Sequence, residues 1–211
     1  MERDPSLSLN SIDRQIIDPM DGLLVWLKEA ETAKIPEHVA MTLSTVSTTG
    51  QPSSRIVYFK GFSKNGGGLR CPRFFTNYES QKSKEIETNP QISLLFYWPT
   101  QWRQIRIEGQ AERVSVEESE EYFQSRARGS RVGAWASPQS DPIKGREDLE
   151  ARVLEIEAKF EGKDIPCPPF WGGWRVDPRR VEFWQGGTHR LHDRRVFTKI
   201  KTNWVKSTLA P

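Results

Sequence analysis

Four clusters hold the residue types that could do chemistry in this chain, and each sets cations or hydroxyls beside aromatic or amide groups. Arg55 and Lys60 lie in the β-prone run SSRIVYFKGF, where a guanidinium can grip phosphate as a fork and an ammonium can add a point charge. In TNYESQKSKE, Thr76 and Ser80 offer hydroxyls and Lys82 a charge at a strand-to-helix junction, where free backbone N–H groups can hold a phosphate. The stretch YFQSRARGSRVGAWASPQS carries Tyr122, Arg126, Ser130, Gln139 and Ser140, groups suited to a phosphate or a ring edge. In EFWQGGTHRLHDR, Trp184, Gln185, Arg190, His192 and Arg194 surround Gly186 and Gly187, and two of the chain's three histidines sit here.

Each cluster has a plainer reading as well. Exposed basic residues on a strand usually only solubilise it. Thr76, Asn77 and Ser80 could simply cap a helix, and the third cluster could be a helix end and loop. Gln104 could be a surface residue on an alternating strand, although its amide could also meet the edge of a heteroaromatic ring. A lone histidine is more often structural, whereas His192 beside Arg190 in a Trp-rich turn is a reasonable ring-polarising pair. Taken together, the clusters point to a phosphorylated aromatic small molecule.

Other chemistries lack their signatures. No GxGxxG, GxxxxGK, GxSxG or HExxH occurs, which argues against a dinucleotide fold, a P-loop, a hydrolase elbow or a zincin. Cys71 and Cys167 stand far apart outside any CxxC pattern, so no metal site or disulfide framework is expected and a reducing, cytoplasmic location is. The 31 basic and 28 acidic residues are interspersed, leaving a net charge of +3 that suits a small anionic ligand better than nucleic acid or membrane. No run approaches the length of about 18 apolar residues that a membrane span requires.

The elements that must position these residues read as mainly β with peripheral helices, in one domain over residues 18–211 behind a mobile N-terminal arm at 1–17. Asp18 and Pro19 suit the N-cap and first turn of a helix that places Leu23, Trp26, Leu27 and Ala30 on one face. AMTLSTV and SSRIVYF, joined at Thr49–Gly50, begin a β-meander that reverses at the glycines of 66–68 before RFFTN. A short helix follows near Ser80–Glu87, then the strands ISLLFYW and RQIRIEGQAERV, the latter with Ile105 and Ile107 inward. Ser115 and Glu118 form a capping box that opens a helix to about Gln124, and Leu149, Val153, Ile156 and Phe160 mark the core stripe of another. WGGWRV, RRVEFWQG and RVFTKI read as three closing strands of an antiparallel barrel.

In order and over nearly the whole chain from Asp18, SSRIVYFKGF, FFTNYESQKSKE, RQIRIEG, YFQSRARGS, GAWASPQSD, FWGGWRV and EFWQGGTHRLHDR resemble the pyridoxamine 5′-phosphate oxidase family. The resemblance implies a homodimeric, antiparallel FMN-binding split β-barrel with active sites shared between subunits. It implies oxidation of pyridoxamine or pyridoxine 5′-phosphate to pyridoxal 5′-phosphate by O2, with hydrogen peroxide formed and a hydride passing from substrate C4′ to flavin N5. By matching position, FMN contacts would come from Arg55, Ile56, Val57, Tyr58, Phe75, Thr76, Lys82, Gln104, Gln139, Ser140, Trp184 and Arg194, with Arg55 and Lys82 on its phosphate. Lys60, Tyr122, Arg126 and Ser130 would hold the substrate phosphate, while Arg190, Leu191 and His192 would meet its ring, Arg190 and His192 as the catalytic pair.

The chain also departs from the family pattern. Gln81 stands where the family usually has Arg, which implies one cation fewer at the flavin phosphate. Thr208 replaces an Arg near the C-terminus, Ala127 replaces a Pro, GGGLRCP lengthens one turn, and the arm is short and poor in basic and aromatic residues. A non-catalytic FMN- or pyridoxal-phosphate-binding protein of the same fold is the alternative reading.

Overall fold

The computed structural model describes residues 16–64 and 68–211. The arm up to residue 15 and part of the glycine turn lie outside the described residues. Ile16 already packs against the main core.

Helix α1 (Pro19–Thr32) starts as its sequence dictates: Pro19 supplies a preset φ, and the Asp18 side chain accepts a 2.9 Å hydrogen bond from the Met20 amide. Its apolar face buries Met20, Leu23, Trp26, Leu27 and Ala30. The chain then runs through β1 (Ala40–Val46), β2 (Pro52–Tyr58), β3 (Phe62–Lys64), β4 (Arg70–Asn77), α2 (Gln81–Thr88), β5 (Gln91–Trp98) and β6 (Arg103–Arg113). Three helices follow, α3 (Val116–Gln124), α4 (Arg128–Ala136) and α5 (Arg146–Lys159), before β7 (Trp171–Gln185), β8 (Asp193–Ile200) and β9 (Asn203–Thr208). Strand order is β2-β1-β5-β6-β7-β4-β3, with β8 and β9 added beyond β7, and every pairing is antiparallel. The fold is therefore mainly antiparallel β with peripheral helices. Among the described residues no helix is long and apolar enough to cross a membrane.

Register decides which face each side chain takes, because residues directly opposite in an antiparallel ladder share a face. Leu43, Leu94, Ile107, Val181 and Phe197 are linked in register across five strands and point into the core. Ile56, Thr42, Leu95, Arg106, Glu182 and Val196 form the matching row on the other face. Beside it runs Tyr97, Gln104, Trp184 and Arg194.

Several elements differ from the sequence expectation. WGGWRV and RRVEFWQG are one continuous strand of 15 residues, β7, rather than two. The interruption read at Asp177–Pro178 is a bulge: the β6–β7 register shifts between Glu108 and Gly109, which lets a proline sit in the strand where its missing N–H does no harm. The loop expected after Arg126 contains helix α4, and the chain adds a last strand, β9, that went unread. Leu149, Val153 and Ile156 on α5 are only half-buried, and Val153 and Ile156 pack against a satellite cluster of Phe123, Val132, Phe160, Ile165 and Trp171 instead of the main core.

Candidate functional site

Strand β2, the end of β4, helix α2 and the α3–α4 junction converge on one cavity of about 690 Å³, within the range of about 300–1,000 Å³ usual for small-molecule sites. Eleven of the residues singled out above line it: Ile56, Val57, Tyr58, Lys60, Phe75, Thr76, Lys82, Tyr122, Arg126, Ser130 and Gln139. The start of α2 brings Lys82, the end of α3 brings Tyr122, and α4 brings Ser130, Gly133 and Ala134.

Two separate cationic seats face this cavity. In the first, Lys82 is buried, and its Nζ donates to Thr76 Oγ1 at 3.1 Å, Ser80 Oγ at 3.0 Å and Gln139 Oε1 at 3.2 Å. No carboxylate among the described residues pairs with it. Burial, and then the charge of Arg55, push the Lys82 ammonium down to about 8. In the second, Arg126 lies 4.8 Å from the Trp171 ring centroid, with Nη1 buried and without a hydrogen-bond partner among the described residues. Burial lowers its affinity for the proton as well. An unanswered guanidinium N–H is costly to bury unless an anion completes it. Ser130 stands in the first turn of α4, whose macrodipole favours the same negative charge, and Lys60 Nζ lies between the rings of Tyr58 and Tyr122 at 5.4 and 6.0 Å.

The floor of the cavity is aromatic. Phe75 stacks on Tyr122 at 3.9 Å and on Trp171 at 5.6 Å. Trp171 was not singled out from the sequence; its signal was the WGGW motif, where a side chain on Gly173 would come within 2.7 Å of Phe75 and Val114.

Arg55 behaves differently from the other cations. Its guanidinium is tied to Glu85 at 3.4 Å, and to Thr45 and Ser53, on the cavity's flank. Glu85 also accepts from Gln81 Nε2 at 2.9 Å. Burial opposes ionisation of Glu85, but its bonds from Thr45, Gln81 and Ser53 and the charge of Arg55 hold its carboxyl below the ordinary range. Ser140, with φ of 76°, lines a neighbouring depression with Gln81 and Lys84.

The remaining singled-out residues lie elsewhere in the chain. Gln104, Trp184 and Arg194 stand side by side on β6, β7 and β8. The loop after β7 carries Arg190, Leu191 and His192 and is fastened where Gly186 N donates to Trp102 O at 2.8 Å. Arg194 is held by the buried carboxylate of Glu182, at 2.8 Å from Nε and 2.7 Å from Nη2, while its Nη1 donates to Ala210 O at 2.9 Å. Arg106 and Arg180 also pair with Glu182, at 2.8 and 3.2 Å. Burial works against this charge, yet the Arg194 bond and the three guanidiniums outweigh it and hold the carboxyl below the ordinary range.

Five strand spacings separate Ile56 on β2 from Arg194 on β8, about 24 Å around the sheet at roughly 4.8 Å each. Ile56 and the Gln104, Trp184 and Arg194 row thus stand on a single sheet face, apart from one another. That face exposes apolar groups, with Ile56 at 61% and Tyr97 at 55% exposure.

An antiparallel split barrel with a cavity holding two cationic seats against an aromatic floor defines the class of protein. Comparison with known proteins narrows it. The family model described as "Pyridoxamine 5′-phosphate oxidase" matches residues 27–160, and that of the "Pyridoxine 5′-phosphate oxidase C-terminal dimerisation region" matches residues 171–211. The pyridoxine/pyridoxamine 5′-phosphate oxidase of Rubrobacter xylanophilus is 49% identical over 92% of this chain and 87% of its own length. That of Bordetella avium is 50% identical over 92% and 89%. Among solved structures, PhzG from Burkholderia lata in complex with tetrahydrophenazine-1-carboxylic acid superposes with a TM-score of 0.89 at 30% identity, covering 98% of both chains. A pyridoxamine 5′-phosphate oxidase-related, FMN-binding protein from Nostoc punctiforme shares the fold, with a TM-score of 0.73 at 19% identity, over 93% of this chain and 100% of that one. The chain belongs to the pyridoxamine 5′-phosphate oxidase family.

Proposed function

We propose that this protein is a homodimeric, FMN-dependent oxidase that converts pyridoxamine or pyridoxine 5′-phosphate to pyridoxal 5′-phosphate, with O2 reduced to hydrogen peroxide. The observation that carries this reading is the pair of cationic seats lining one cavity with an aromatic floor: Lys82, which is buried, and Arg126, whose Nη1 is buried without a hydrogen-bond partner among the described residues. Two phosphorylated ring compounds are what such a cavity accommodates. FMN fits the residues present: its phosphate would answer the Lys82 ammonium, which pairs with no carboxylate among the described residues, with Thr76, Ser80 and Gln139 around it and Arg55 at the flank. Bound there, FMN supplies the two-electron acceptor that takes a hydride from the substrate and passes the electrons to O2.

The chain's own residues do the rest. Arg126 and Ser130, with Lys60 and Tyr122, hold the substrate phosphate and exclude water from it. Ile56, Val57, Tyr58 and Phe75 supply apolar surface to a planar ring. Gln104, Trp184 and Arg194, three, four and five strands from β2 on the same chain, complete the flavin site by coming from a second copy. Arg190, Leu191 and His192 would then reach the substrate ring, Arg190 and His192 orienting it and biasing its protonation. Joining two sheet faces about a two-fold axis makes this exchange reciprocal, giving two shared sites per dimer. The match of residues 171–211 to a dimerisation region supports that arrangement.

The test is direct. Purified protein should show a flavin absorbance band and release peroxide on addition of pyridoxamine 5′-phosphate with excess FMN. Yellow protein without turnover would leave only a binding module. Turnover of a carboxylated tricyclic substrate instead would place it with the PhzG-like oxidases.

A further inference from the structure

The loop between β7 and β8 closes more tightly than side chains ordinarily permit. His189 and Arg190 both take left-handed φ values, 52° and 65°. Leu191 N donates to Thr188 O at 2.9 Å, and His192 N to Arg190 O at 3.0 Å. A Cβ on Gly187 would sit 1.8 Å from the Leu191 carbonyl oxygen, so only glycine fits there. The result of this closure is one specific contact: the Gly187 backbone N–H donates to Nδ1 of His192 at 3.1 Å. The indole of Trp184, with ring centroid 4.7 Å away, flanks the imidazole.

An imidazole nitrogen that accepts an N–H must present its lone pair and cannot carry a proton. A proton on Nδ1 would face the Gly187 N–H. We infer that Gly187 is a positioning residue whose backbone amide fixes His192 in the Nε2–H tautomer, so that His192 meets substrate as a hydrogen-bond donor and not as a base. The ring's single lone pair is occupied by Gly187, and the other nitrogen offers only N–H. The tautomer follows from the loop alone; that its donor is aimed at a pyridine-ring substrate rests on the function proposed above.

With only three histidines in the chain, both parts can be read separately. In 15N-histidine-labelled protein, long-range 1H–15N correlation at neutral pH should show His192 with an unprotonated Nδ1 and a protonated Nε2, and Gly187→Ala should mix the tautomers. A protonated Nδ1 in the unaltered protein would overturn the inference. Gln can place an amide N–H where Nε2 stands, whereas Asn reaches only the Nδ1 position. In FMN-loaded protein, pyridoxal 5′-phosphate affinity should therefore survive His192→Gln within about threefold and fall about tenfold or more in His192→Asn. Equal losses would overturn the donor role. If the unaltered protein binds no pyridoxal 5′-phosphate, the proposed substrate is wrong while the spectrum still decides the tautomer.

Discussion

With Lys82 in the proposed phosphate seat, FMN binding depends on pH in a direction set by its burial. Its ammonium titrates near 8 in the folded chain, below the ordinary value of 10.5, so burial favours the neutral form there. The folded chain is penalised for this charge below about pH 8, and the penalty is relieved as pH rises from 8 towards 10.5. A bound phosphate reverses the preference. FMN binding should therefore take up a proton above pH 8, and affinity measured by flavin fluorescence quenching should fall by up to about tenfold per pH unit. A flat profile from pH 7 to 10 would remove Lys82 from the phosphate seat. Arg126 gives a second contrast. A charge-assisted hydrogen bond contributes about 1.5–3 kcal/mol, so Arg126→Ala should lower kcat/KM about ten- to a hundredfold or more, with no loss of thermal stability. A structural arginine would instead show its loss in Tm. Which cations are seats was only half legible in the sequence. Arg55, Lys60, Lys82 and Arg126 all stood out by type, but that Glu85 ties Arg55 while Lys82 and Arg126 pair with no carboxylate among the described residues depends on contacts between residues 30 or more apart in the chain.

At the scale of the element, β7 organises the site. Its first residues pair with β4 and set Trp171 beneath the cavity, while its last pair with β6 and β8 and set Trp184 beside Arg194. The bulge at Gly109 lets one strand serve both ends, and a Cβ there would lie 2.2 Å from the Asp177 carbonyl oxygen. Gly109→Ala should consequently lower stability by about 1–3 kcal/mol, read as a shift in denaturation midpoint with an unchanged m-value. An unshifted midpoint would mean that the bulge accommodates a side chain freely. Alternation revealed β6 because each of its faces meets one environment. It failed on β7, where Pro178 and the extra residue break the period-2 pattern that marks a strand. The half-buried stripe of α5 shows the opposite error: helical spacing revealed the helix but not how little covers it.

At the scale of the whole molecule, the proposed function has the cavity residues of one subunit meet Gln104, Trp184 and Arg194 of a second copy. Tyr97→Glu on the exposed apolar face should shift the protein to monomer and weaken FMN binding together, by size-exclusion chromatography and flavin titration; a monomer that still binds FMN at full affinity would break that link. The sequence carried both half-sites as motifs, yet their assignment to different subunits came from family resemblance. What the structure adds is the register that puts Ile56 and Arg194 on one face, five strands apart.

Mixing two inactive variants tests that central claim most directly. Arg126→Ala disables the cavity and Arg190→Ala the distant loop. Each homodimer should have little activity, but after subunit exchange a two-fold heterodimer regains one intact site of two. With random pairing, peroxide release on pyridoxamine 5′-phosphate should recover to about one quarter of the unaltered level. No recovery, despite heterodimers confirmed by mass spectrometry, would mean that each chain builds its own site and would contradict the account.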